Sequence, residues 1–303
     1  MSPPITTVAV TAQLLRTMPL PAVGNTVDKN ERGHVLLVAG SREIPGSALL
    51  TATSALRAGA GKVTLLTSAG VATHLALAVP EARVIALHEN AKGALEIDPT
   101  TLEVLADTHF DVLVIGPGLQ GENGVQILVE TLLAGLNYAN VILDACAINH
   151  IKRSKNKVCS FLITPNAGEV AHLKKISKED AVDKALELAQ KMAEQWDCIV
   201  AVKGPTTIIA KPDGETFRHE GGNSGLAISG SGDCLTGLIA GLVSRGSELA
   251  QASLWGVYVH ARIGDLLAER YGGIGYLASE IPAEIPNIIH RELAGDRISS
   301  SPD

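Results

Sequence analysis

Apolar residues in this chain come in short unbroken runs separated by stretches of helical spacing. The first run, HVLLVA at 34–39, gives way to a polar turn at 40–47. Over 48–60 the apolar positions then recur every three or four residues. A short apolar run followed by that periodicity reads as a buried strand feeding a helix. The alternation continues with strands at 62–67, 83–87, 111–115, 141–144 and 161–164. Helices at 71–79, 124–136 and 178–195 lie between or after them. Strands at 198–203 and 207–211 follow, and the turn Pro212-Asp213-Gly214 introduces another near 216–219. Two more helices, over 248–271 and 279–290, close the pattern. Continuous apolar strands are buried on both faces, so the chain predicts a three-layer α/β/α fold. Its central sheet is mostly parallel, with a few antiparallel strands late in the chain. No shift in composition marks a linker, so residues 1–303 read as one domain. Residues 1–30 form a lead-in with a short helix near 11–16, and 299–303 read as a disordered tail.

Composition narrows the packing and the partners. The chain is 46% hydrophobic but only 3% aromatic, with 30 glycines, so aliphatic and small side chains must fill the core. A formal charge of −7 argues against a nucleic-acid surface. No apolar stretch is long enough to span a membrane, and the N-terminus lacks a signal-peptide pattern. Cys146, Cys159, Cys198 and Cys234 are scattered, which points to reduced thiols and a cytoplasmic location. The nine histidines show no metal-binding spacing.

The chemistry concentrates in GGNSGLAISGSGDCLTGLIAGLVSRG at 221–246. Its first half is glycine and small polar residues; its second half turns abruptly helical. Free N–H groups at a helix start, with Gly230 and Gly232 letting a ligand approach closely, form an anion site. Asp233 is then either a first-turn acid of that helix or a base beside a bound phosphate. The second role suits phosphoryl transfer to a hydroxyl.

Other polar segments follow the strands, where open α/β sheets bind ligands. GSREIPGS at 40–47 lacks the spacing and lysine of a phosphate loop and reads as a substrate-lining or tight turn. GPGLQG at 116–121 matches a dinucleotide fingerprint, but Pro117 removes an N–H the pyrophosphate would need. A turn that lets a ligand approach fits it better. Asp144 is either a phosphate- or magnesium-side acid or a helix cap. Asn166 and Glu169 either order water around Mg²⁺ or cap a helix. Lys203, ahead of Gly204 and Pro205, either reaches a nucleotide phosphate or snorkels at the surface. Trp255 and His260 read as packing residues.

Taken in order, these segments resemble the ADP/ATP-dependent NAD(P)H-hydrate dehydratase family of the ribokinase-like superfamily. The resemblance runs from about residue 30 to 291 through GHVLLVAGS, VIGPGL, LDACAIN, ITPNAGE, VKGPTTIIA, GNSGLAISGSGDCLTGLIAGL and ASLWGVYVHARIGD. It implies a lyase that repairs hydrated NADH or NADPH (NADHX or NADPHX), in a form without the family's fused epimerase. ADP or ATP, with Mg²⁺, phosphorylates the ring hydroxyl and phosphate is then eliminated; the stand-alone form favours ADP. The resemblance assigns the catalytic base to Asp233 and the phosphate hole to Gly230, Ser231 and Gly232. It assigns nucleotide binding to Lys203, Gly204, Pro205, Thr206, Thr207 and Gly232, and hydrate binding to Ser47, Gly118, Asn166 and Asp233. Glu169 is the candidate to hold magnesium through water, and homo-oligomers are expected. Five positions depart from the family pattern: Ser47, Cys146, Asn166, Ala167 and Ser229. Asn166 brings the turn closer to N-x-x-E, the superfamily's kinase version, so a vitamin or sugar-alcohol kinase is the rival reading.

Overall fold

The computed structural model describes residues 6–22, 31–152 and 159–294; the expected tail at 299–303 lies outside them. The chain opens with strand β1 (Val8–Ala9) and helix α1 (Ala12–Thr17), the latter capped by Thr11. Then come β2 (His34–Val38), α2 (Pro45–Ala58), β3 (Lys62–Ser68), α3 (Ala72–Ala78) and β4 (Ala82–Glu89). A short β5 (Leu95–Glu96) and α4 (Pro99–Ala106) precede β6 (Phe110–Ile115), α5 (Glu122–Gly135) and β7 (Tyr138–Leu143). After β8 (Ser160–Ile163) the chain forms α6 (Ala167–Lys174), α7 (Lys178–Asp183) and α8 (Ala185–Trp196). Strands β9 (Ile199–Val202), β10 (Thr206–Ala210) and β11 (Thr216–Glu220) lead to α9 (Ser231–Ser244), α10 (Leu249–Tyr271) and α11 (Ile281–Ala294).

Among the described residues the strands make one sheet, ordered β1-β11-β10-β9-β8-β7-β6-β2-β3-β4-β5. The run from β9 through β4 is parallel, as the unbroken apolar strands require. β10 pairs antiparallel with β9 and β11, which realises the expected late antiparallel strands. Alternate residues of each strand serve opposite faces. Val35 and Leu37 join the core under α2, α9, α10 and α11, while Leu36 and Val38 join the core under α5, α6 and α8.

Helix boundaries differ from the sequence pattern where proline and backbone breaks decide them. Pro45 opens α2 three residues before the expected start, so Ser47 lies in the first helical turn, not in a loop. The amphipathic stretch 178–195 is two helices, because Lys184 leaves helical angles at φ −106° and ψ 17°. The last helix starts at Ile281, after a 3₁₀ turn at Ala278–Glu280. β1, β5 and α4 are short and carry no periodic signal long enough to find.

The packing that positions the site is between α2 and α9. A methyl placed on Gly237 would lie 2.2 Å from the Thr51 carbonyl oxygen, and one on Gly241 would lie 2.3 Å from that of Ala55. The two helices run parallel with their backbones in contact, which only glycine allows. Carried one turn toward the helix starts, the same register sets Asp233 beside Ser47.

Candidate active site

Gly230 caps α9 in the left-handed conformation, φ 93°. Its neighbours explain the small residue: a methyl there would lie 2.4 Å from Leu50 Cδ1. At the helix start, the Ser231 N–H is taken by the Ile228 carbonyl and the Cys234 N–H by that of Gly230. Between them, no acceptor among the described residues takes the N–H groups of Gly232 and Asp233. Two adjacent unpaired donors at a positive helix end are an anion site. A methyl on Gly232 would lie 3.1 Å from Lys203 Nζ, so the lysine ammonium faces the same spot.

Lys203 is held there. It follows β9 directly, its N–H donates to the Pro165 carbonyl at 2.8 Å, and it bridges to Asn166 on the neighbouring turn. Its Nζ donates to Asp144 Oδ1 at 3.0 Å. Asp144 is buried at the end of β7, and it also accepts from Thr164 Oγ1 at 2.8 Å and Thr236 Oγ1 at 2.9 Å. Of the alternatives left open for Asp144, capping gives way, because its side chain makes no cap hydrogen bond; what it visibly does is hold Lys203, Thr164 and Thr236. The snorkelling alternative for Lys203 also fails, since its side chain is 19% exposed and ion-paired.

The local charges sharpen this picture. Burial lifts the Asp233 carboxyl above its ordinary range and Asp144 adds to the rise, while a hydrogen bond from Ser47 and the charge of Lys203 oppose it. Burial raises Glu169 in the same way, opposed by Lys203. Burial works against the Lys203 charge, but Asp144, Glu169 and Asp233 together outweigh it and hold its pKa above the usual lysine range. Asp233 is thus a partly buried carboxylate with one hydroxyl neighbour and a lysine nearby, at the mouth of an anion site. Such a group accepts protons more readily than an ordinary aspartate.

Asn166 and Glu169 form a capping box at the start of α6: Glu169 N–H donates to Asn166 Oδ1 at 3.0 Å, and Asn166 N–H donates to Glu169 Oε2 at 2.7 Å. Capping is therefore the role both side chains visibly play. Glu169 Oε1 has no donor among the described residues. Among those residues no group of three His, Cys, Asp or Glu side chains could hold a metal. A magnesium ion held chiefly by phosphates and water, with one carboxylate at hand, fits this donor set. Gly118, φ 68°, lies over α2 so closely that a methyl would sit 2.7 Å from Ser47 Cβ. Gly116 passes the Asp144 carbonyl oxygen just as closely, a methyl there falling 1.8 Å from it. The GPGLQG turn thus owes its glycines to backbone approach, not to a dinucleotide fingerprint.

Ser47, Gly118, Asn166, Lys203, Gly230–Gly232 and Asp233 thus converge at the carboxyl ends of β2, β6, β8 and β9. Gly204, Pro205 and Thr206 form an exposed rim beyond Lys203, and Thr207 is half-buried next to them. One residue read as packing has a different place: His260 Nε2 lies 3.1 Å from both Ser231 Oγ and the Ser231 carbonyl oxygen. Thr164 and Thr236 were not singled out in the sequence, and only their contact with Asp144 marks them. Trp255 is packed as expected, with its indole N–H donating to the Met18 carbonyl. Cys146, at a departure from the family pattern, donates to the Leu119 carbonyl, and burial pushes its thiol up to about 11. It is an inert packing thiol.

Known proteins share both the sequence and this architecture. A family profile described as NAD(P)H-hydrate dehydratase matches residues 35–287. An ADP-dependent (S)-NAD(P)H-hydrate dehydratase of Xanthomonas campestris pv. campestris is 45% identical over 93% of this chain and 96% of its own length. The crystal structure of the Bacillus subtilis ADP/ATP-dependent NAD(P)H-hydrate dehydratase, co-crystallized with ATP/Mg²⁺, superposes with a TM-score of 0.83. It is 28% identical and covers 95% of this chain and 100% of that one. A ribokinase-like superfamily protein of Enterococcus faecalis, 24% identical, shares the fold with a TM-score of 0.80 over 94% of this chain and 96% of that one. On the breadth of the sequence match, and with the fold in agreement, the chain belongs to the NAD(P)H-hydrate dehydratase family.

Proposed function

We propose that this protein dehydrates NADHX and NADPHX, the hydrated forms of NADH and NADPH, at the expense of ADP or ATP with Mg²⁺. The observation that carries the reading is Asp233 at the start of α9, beside the unpaired N–H groups of Gly232 and Asp233 and near Lys203. A hydroxyl on the hydrated ring, set against Asp233, loses its proton to that carboxylate. Its oxygen attacks the terminal phosphorus, and the bond to the nucleotide leaving oxygen breaks. The N–H groups at the helix start and the Lys203 ammonium take up charge on the moving phosphoryl oxygens. Elimination then breaks the ring C–O bond as a proton leaves the adjacent carbon, restoring the double bond and releasing phosphate. Magnesium, when bound, would neutralise phosphate charge, and Glu169 would be the residue to hold it through water.

Ser47, Gly118 and Asn166 line the hydrate side of Asp233 in this reading, and Lys203 through Thr207 line the nucleotide side. ADP is favoured, because the Xanthomonas relative is described as ADP-dependent. A single sheet with a core on each face supports one catalytic domain. Thiols such as Cys198 and Cys234, outside any disulfide, suit a reducing cytoplasm, and exposed side chains such as Leu77 and Ile127 offer apolar surface for a homo-oligomer. No helix of the described residues is long and apolar enough to cross a membrane. Incubating purified protein with authentic hydrate, Mg²⁺ and either nucleotide tests the reading. Recovery of the reduced-nicotinamide absorbance is expected, faster with ADP; no recovery with either nucleotide would refute it.

A further inference from the structure

Helix α10 comes close to α9 because of Gly256, where a methyl would lie 2.4 Å from Ile239 Cγ1. One turn further on, His260 meets the first residue of α9. Its Nε2 is 3.1 Å from the Ser231 hydroxyl and 3.1 Å from the Ser231 carbonyl oxygen. Ser231 itself is buried, at 4% exposure. A carbonyl oxygen only accepts hydrogen bonds, so the contact is attractive only if Nε2 carries the proton. That proton is then shared between the two Ser231 oxygens, and the Ser231 hydroxyl acts as an acceptor toward the histidine. Its own hydrogen is left over.

We infer that His260 is a positioning residue for the anion loop: through its shared Nε2–H it fixes Ser231, leaving the serine hydroxyl free to donate to a phosphoryl oxygen. The inference rests on the function proposed above, and adds to it a residue that touches neither nucleotide nor hydrate. Burial, with the charge of Lys203 acting the same way, lowers the imidazole to about 4. The ring is therefore neutral near pH 7 and holds the single proton that the geometry requires. A charged imidazolium would instead add a second cation beside Lys203.

The test is a cycle of wild type, Ser231→Ala, His260→Leu and the double variant, with His260→Gln as the variant that keeps a donor at similar reach. Turnover of the hydrate and calorimetric binding of ADP with Mg²⁺ are measured on each. His260→Leu should lower kcat by about 10- to 100-fold, with the hydrate KM held within about threefold. His260→Gln should restore kcat to within about fivefold of wild type, because its amide N–H replaces the imidazole donor. The double variant should be no worse than the poorer single variant in either kcat or ADP affinity, as for residues acting through one contact. Losses that multiply in the double variant would overturn the inference. So would equal losses in His260→Leu and His260→Gln that track their melting temperatures, since that is the mark of a packing role. If wild type binds ADP but does not dehydrate the hydrate, the proposed function falls, and the ADP-affinity cycle alone decides the coupling of His260 to Ser231.

Discussion

The Lys203 ammonium lies 3.0 Å from Asp144 Oδ1, and the carboxylate side of this pair is 3% exposed. Two hydroxyls, from Thr164 and Thr236, complete the hydrogen bonding of the same carboxylate. The pair ties the end of β7 to the end of β9 and to the second turn of α9. Lys203 thereby faces Gly232 without a free choice of rotamer. Removing one member strands the other in a poorly hydrated place, at a cost of about 3–5 kcal/mol for buried pairs. Asp144→Ala should therefore destabilise the protein by about 3 kcal/mol in urea denaturation, since Lys203 keeps partial access to water. Lys203→Met combined with Asp144→Ala should cost less than the sum of the two single changes.

Asp233 should show a trade of stability for activity. Its carboxyl is raised by burial, so the charged form is disfavoured in the folded state relative to the unfolded one. Well above the folded pKa the group is ionised in both states, and folding bears that penalty. Below its ordinary value of 3.8 it is protonated in both, and the penalty is gone. Asp233→Asn should raise the melting temperature at pH 7, with the gain shrinking as the pH falls toward 4, while kcat drops by at least about 100-fold. Parallel thermal scans and turnover assays check both halves.

The acid limb of stability should come from histidines. Burial, helped by Lys62, lowers His34 to about 4, and burial does the same for His260, both against an ordinary value of 6.5. A group with a depressed pKa contributes stability that is present above the unfolded value and lost as pH falls through the folded one. The melting temperature should be flat from pH 8 to about 6.5 and fall between there and about 4. His34 sits at the amino end of β2, bonded to Thr64 and packed on Phe110, away from the site. His34→Gln should reduce the acid slope and leave kcat unchanged.

Two glycines of α9 should separate fold from chemistry. A methyl on Gly237 meets a backbone oxygen at 2.2 Å, and α2 must move away to admit it. Gly237→Ala should cost about 1–3 kcal/mol, or more, by denaturation. A methyl on Gly232 meets no backbone atom, only the end of the Lys203 side chain, at 3.1 Å, which need yield by a few tenths of an ångström. Gly232→Ala should fold normally and lose nucleotide affinity, measurable by calorimetry.

What could be read from the chain depended on how local each signal is. The unbroken runs of β2, β6, β7 and β8 announce parallel strands, because period and length are properties of the strand itself. The glycine frame before Asp233 was legible for the same reason, since Gly230 needs a left-handed backbone whatever surrounds it. The partners of Asp144 were not, because Thr164, Lys203 and Thr236 reach it from three separate elements. His260 looked like packing because its target, Ser231, is 29 residues away and meets it only once α10 folds back on α9. Asn166 and Glu169 show the opposite case. Their spacing suggested either a capping box or a water-holding pair, and the structure makes the capping box visible.

The central claim is that Asp233 turns a ring hydroxyl into a phosphate ester that then leaves. The most direct measurement follows, in one reaction with ADP and Mg²⁺, the amounts of AMP, free phosphate and reduced nicotinamide formed from the hydrate. Equal amounts of all three, abolished together in Asp233→Asn, are the predicted result. Consumption of ADP that yields a stable phosphorylated product without phosphate release, or reduced nicotinamide formed at the wild-type rate by Asp233→Asn, would contradict it.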